Sequence, residues 1–101
     1  MHYVICYDLE NDRLRAKTAN LLEKHGCSRV QKSVFVASHI SSKHVAALKH
    51  ALARLLAGRV LSPQDGVLII PLPDEPAQQV HAIGANNMLA ALMTPPLKIL
   101  L

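Results

Sequence analysis

Tryptophan is absent from this 101-residue chain, and only one phenylalanine and two tyrosines are present. A platform that stacks the bases of single-stranded nucleic acid needs several aromatic rings, so this scarcity argues against that mode of binding. Nucleic-acid contact would then fall mainly on phosphates. Acidic residues are few as well, seven in all, whereas phosphate-cleaving metal sites commonly draw on several carboxylates. There are two cysteines, Cys6 and Cys27. With no metal-ligand spacing and no secretory signal, they are expected to be reduced, buried thiols of a cytoplasmic protein. No stretch is long and apolar enough to span a membrane, because Pro95 and Pro96 interrupt the one apolar tail. Internal repeats and low-complexity segments are missing too.

Half of the residues are apolar and the formal net charge is +4. The length suits one domain with a modest core, and the basic excess suits an anionic partner such as nucleic acid. The six histidines include no two-ligand helical pair. His44 and His50, the nearest approach to one, are six apart and do not share a helix face. All six are expected to be ordinary surface or boundary residues.

"HYVICYD" at 2–8 predicts a strand that stops on a carboxylate. "NDRLRAKTANLLEKHG" follows, with Asn11 as a helix cap and Gly26 as a left-handed stop. At helical period Leu14, Thr18, Leu21, Leu22 and His25 share one side, and Arg13, Lys17, Asn20 and Lys24 line the other. "SRVQKSVFVASHI" predicts a hairpin, with strands near 28–31 and 34–38 joined at Lys32 and Ser33. One long strand is the alternative. "SSKHVAALKHALARLLAG" predicts a second helix, capped by Ser41 or Ser42 and ended by Gly58. "GVLIIPL" at 66–72 predicts a last core strand.

The order β-α-β-β-α-β predicts an α+β, ferredoxin-like fold. Two helices cover one face of such a sheet, yet the first and last strands are apolar on both faces. Val4 and Cys6 oppose Tyr3, Ile5 and Tyr7, and Val67 and Ile69 oppose Leu68 and Ile70. Strands buried on both sides have this pattern. A homodimer with the two sheets face to face is therefore expected. The core domain should occupy 1–72. A C-terminal extension at 73–101 should begin with a linker, "PDEPAQ", add a fifth strand at "QVHAIGA", and dock its apolar tail on the dimer.

The run "YVICYDL", the basic helix "DRLRAKTANLLEKHG" and then "RVQKSVFVA" resemble the CRISPR-associated protein Cas-two family over about Tyr3 to Leu72. The resemblance implies a ferredoxin-like homodimer that bridges the Cas-one integrase and binds duplex DNA during spacer acquisition. It also implies, for some members, divalent-metal-dependent cleavage of RNA or duplex DNA. Asp8 then matches the metal-binding aspartate, with Mg2+ or Mn2+ as one ion shared near the dimer axis. Tyr7, Ser33 and Phe35 match positions around that catalytic site, and Arg15, Lys17 and Arg29 match basic positions. Lys32 stands where the motif commonly has an aromatic residue.

Each of these residues also has a plain reading. Asp8 can be a strand end, Ser33 a turn residue, and Tyr7 and Phe35 core. Arg13, Lys17 and Lys24 can be a solvated helix face, and Arg29 an edge-strand charge. Arg15 projects to the margin of the buried face, where a guanidinium needs an anion, either Asp8 or a phosphate. Two functions stay open: an adaptor of the acquisition complex, and a metal-dependent endonuclease related to toxin-type ribonucleases of the same fold. A small-molecule sensor of this fold is a weaker third, since no glycine-rich or polar pocket signal is present.

Overall fold

The computed structural model describes residues 1–81 and residue 83. The element order is β1 (His2–Asp8), α1 (Asp12–Lys24), β2 (Ser28–Gln31), β3 (Val34–Ala37), α2 (Ser42–Leu56), β4 (Gly66–Leu72) and α3 (Asp74–Ala77). The four strands form one sheet in the order β2-β3-β1-β4, antiparallel throughout. This is the ferredoxin-like split βαβ arrangement predicted from the element order.

Local signals set the helix ends. The Asn11 side chain accepts from the Leu14 N–H at 2.9 Å, and the Ser41 Oγ accepts from the His44 N–H at 3.1 Å. Each satisfies a first-turn donor that has no partner within its helix. Gly26 and Gly58 follow the two helices at φ +83° and +73°, a conformation that side chains resist. Helix α1 buries Leu14, Thr18, Ala19 and Leu22, and α2 buries Val45, Leu48 and Leu52. Leu14, Ala19, Leu22, Leu48 and Leu52 share one core with Ile5, Tyr7 and Phe35 of the sheet. Thr18 is wholly buried, and its hydroxyl donates to the Leu14 carbonyl at 2.8 Å.

The opposite face is only partly covered. Val30 and Val36 pack with Ala77 of α3, and Val4, Val34, Leu72 and Val80 border them. The chain thus folds back over the β2–β3 side of its own second face. "PDEPAQ" is therefore not a linker but contains a short helix. Its Pro76 lies in the first turn, where a missing N–H costs nothing. Among the described residues the face stays open toward β4, with Leu68 64 % and Ile70 43 % exposed. Gln79–His81, the described start of the expected fifth strand, is turn and coil. The rest of that strand and the apolar tail lie outside the described residues, apart from Ile83.

Candidate nucleic-acid and metal site

Strand alternation decides which predicted residues can act together. β1 pairs with β4 in continuous register from His2↔Leu72 to Asp8↔Gly66. Odd-numbered Ile5 and Tyr7 point to the helices, so even-numbered Cys6 and Asp8 point to the open face. Asp8 is exposed and borders a hollow of about 380 Å³ with Cys6, Gln64 and Leu68. Among the described residues, no cluster of three His, Cys, Asp or Glu ligands includes Asp8. One chain therefore offers a single carboxylate there. That still fits Mg2+, which commonly binds through one or two carboxylates plus waters and substrate phosphates.

Tyr7, Phe35 and Arg29 meet on the other face. The Tyr7 and Phe35 rings lie 6.1 Å apart at 27°, and the Arg29 guanidinium sits 5.0 Å from the Phe35 centroid. Arg29 also donates to the Tyr7 hydroxyl at 3.5 Å. A register shift between Arg29 and Gln31 accompanies this placement: Arg29 lies over the helix-side aromatics while Val30 turns into the second face. Phe35 has no exposed surface and Tyr7 very little. Ser33 joins them through its backbone, since its carbonyl accepts from the Tyr7 N–H at 3.1 Å. Within one chain, Tyr7 and Phe35 hold Arg29 and do not share the face of Asp8.

Arg15 corrects an expectation. Its guanidinium donates to the carbonyls of Leu9 at 2.8 Å and Glu10 at 3.0 Å and pairs with Asp12. Within the chain, the anion beside it is the acid three residues earlier on its own helix, not Asp8. Arg15 thereby clamps the β1–α1 turn. The same turn is held from the far side by Asp65, which accepts from the N–H groups of Glu10 at 2.9 Å and Ser62 at 3.0 Å. These N–H donors hold the Asp65 carboxyl below its usual 3.8. Asp8 thus projects from a strand end braced by Arg15 and Asp65.

Arg13 and Lys17 are exposed on α1. Arg13 also lines an open groove of about 890 Å³ between the start of α1 and the end of α2, together with Arg54 and Arg59. Among the described residues no carboxylate lines it, so three guanidiniums face one concavity. Arg59 is fixed there by donating to the Leu55 carbonyl at 2.9 Å. Arg54 and Arg59 were not singled out from the sequence, because only helix packing brings them to Arg13.

A second group escaped the sequence reading. His2 is 1 % exposed rather than a boundary residue, because α3 roofs the start of β1. Its Nε2 lies 3.2 Å from Asp74 Oδ1, and its ring is 4.4 Å from that of His39. Burial, then the neighbouring His39, pushes the His2 pKa below 6.5. Cys27, buried as expected, has its thiol pushed up to about 11 by that burial. It is an inert core residue at neutral pH.

The family model for CRISPR associated protein Cas2 matches residues 1–80. A protein of Aeropyrum pernix named CRISPR-associated endoribonuclease Cas2 is 31 % identical over 86 residues, covering 85 % of this chain and 88 % of that one. Among solved structures, Streptococcus pyogenes Cas2 superposes with a TM-score of 0.65 at 20 % identity, over 83 % of this chain and 100 % of that one, a likeness of fold. A chain of a partial Cas6-RT-Cas1–Cas2 complex matches with a TM-score of 0.63 at 28 % identity, over 81 % and 83 % of the two chains.

Proposed function

Since the chain belongs to the CRISPR associated protein Cas2 family, we propose that it serves CRISPR adaptation as a homodimeric adaptor. In this role it holds duplex DNA by its backbone and bridges the Cas1 integrase. The observation that carries the reading is the open second face. Leu68 and Ile70 are solvent-exposed on β4, an edge strand paired along its whole length with β1, and an apolar surface of this kind marks an interface. A second copy of the same face is its self-complementary cover under two-fold symmetry. The match to a chain of a Cas1–Cas2 complex supports the integrase as partner. The groove of Arg13, Arg54 and Arg59, with exposed Lys17 and Arg29, supplies charge for phosphates without bases being read.

A second reading adds endonuclease chemistry, favoured by the name endoribonuclease of the Aeropyrum pernix relative and by the exposed carboxylate. In a face-to-face dimer the two Asp8 side chains come from both open faces and would hold one Mg2+ or Mn2+ between them. The cation supplies charge stabilisation to a scissile phosphate when bound. Substituting Asp8→Asn keeps size and turn-forming ability while removing the charge. Divalent-dependent cleavage of RNA and of duplex DNA by the variant should be lost, with the dimer and its DNA affinity retained. Cleavage at the parent rate would end the metal reading of Asp8 and leave the adaptor.

A further inference from the structure

His2, His39 and Asp74 form a cluster that neither the sheet interface nor the basic groove uses. One ligand atom from each lies within 4.8 Å of the others. The three come from three different elements: the first residue of β1, the β3–α2 loop, and the first residue of α3. His2 is buried, and its Nδ1 has no hydrogen-bond partner among the described residues. A buried ring nitrogen left unpaired is costly, while Nε2, 3.2 Å from Asp74 Oδ1, is the nitrogen that faces the carboxylate. His39 is held at φ +56°, the only non-glycine in that region among the described residues. The conformation is one that histidine tolerates better than most residues, and it brings the ring to His2.

We propose that His2, His39 and Asp74 bind a borderline transition-metal cation of the Zn2+ type. Two imidazole nitrogens and one carboxylate oxygen are a donor set that suits Zn2+ and not Mg2+. Around a tetrahedral ion with bonds of about 2.1 Å, donors lie roughly 3.4 Å apart. The cluster must therefore contract by about an ångström and a half at its widest. Two of the three residues are exposed, so side-chain rotation supplies this without moving the sheet. Asp74 also pairs with the Met1 ammonium at 3.1 Å, and a divalent ion displaces that monovalent partner. The ion ties α3 and the β3–α2 loop to the start of β1, and so fixes where the chain goes after β4. The site stands apart from Asp8, which lies at the other end of the same strand, about 20 Å away.

The test uses the full chain, stripped with a chelator and titrated with Co2+ and with Zn2+. Co2+ should produce visible ligand-field bands that saturate at one equivalent per chain. Zn2+ in hundredfold excess over its Kd should raise Tm by roughly 10 °C or more. His39→Asn keeps a residue that accepts positive φ, and so keeps the fold. It should weaken Co2+ binding by about 100-fold or more, as even outer-sphere partners are worth 10- to 100-fold. Asp74→Asn should weaken it as well, and His50→Asn, on the exposed face of α2, should leave the bands unchanged. Absence of bands and of a Tm rise in the parent chain would overturn the site. So would wild-type affinity in His39→Asn, which would assign the ion to other histidines.

Discussion

Leu68→Ser tests the proposed interface with little disturbance of the protomer. The side chain is 64 % exposed in the single chain, so its removal takes little from the protomer core. Burying a whole Leu side chain is worth about 1.5–3 kcal/mol, and the exposed share of Leu68 therefore about 1–2 kcal/mol. In a two-fold dimer every substitution counts twice, giving roughly 2–4 kcal/mol for the pair. At 1.4 kcal/mol per decade, the dimer Kd rises by roughly 30-fold to nearly 1,000-fold. Ile70→Ser, from a side chain 43 % exposed, should act in the same direction with about two thirds of that free energy. Sedimentation velocity across a dilution series reads the Kd directly. Circular-dichroism melts at concentrations where both proteins are monomeric should coincide closely. An unchanged Kd in both variants would refute the open face as the interface. A monomeric parent protein would mean that the chain covers this face itself.

The basic groove and the turn latch give two further outcomes. Arg54→Gln and Arg59→Gln should each lower the slope of log affinity for duplex DNA against log salt by about 0.9, with little dependence on sequence. An unchanged slope in both moves the phosphate surface away from the groove. Asp65→Ala should lower Tm at neutral pH, because the charged carboxylate holds the N–H groups of Glu10 and Ser62. The folded pKa of Asp65 lies below 3.8, so its contribution is full above that value. It is lost as pH falls through the folded pKa, and the Tm gap between parent and variant should close there. A gap that persists into strong acid would show that the charge of Asp65 is not what stabilises the turn.

The elements legible in the sequence are those fixed by local chemistry. Asn11 and Ser41 cap because an oxygen three residues ahead of a helical N–H is enough. Gly26 and Gly58 stop the helices because no side chain resists their positive φ. The element order and the doubly apolar strands were equally readable. What could not be read depends on packing. Pro73 and Pro76 made 73–78 look like a linker, although a proline in a helical first turn is harmless. With α3 unseen, His2 looked like a boundary residue and its approach to Asp74 was invisible. Sequence alone offers Arg15 either Asp8 or a phosphate as its anion, whereas packing of the turn brings Asp12 and two carbonyls to its guanidinium. Asp8 itself was correctly seen as the end of β1. That Tyr7 and Phe35 face away from it follows from alternation once β1 is in register with β3, where Ile5 opposes Phe35.

In the proposed role this protein acts in adaptation as a dimeric scaffold, by shape and charge rather than by cutting. Lengthening of the CRISPR array, followed by amplification across it in cells that depend on this chain, is the decisive readout. Cells carrying the parent protein or Asp8→Asn should add spacers at similar rates, while the combined Leu68→Ser and Ile70→Ser variant should add none. Array growth that stops with Asp8→Asn while dimer and DNA binding persist, or that continues with the monomeric variant, would contradict the account.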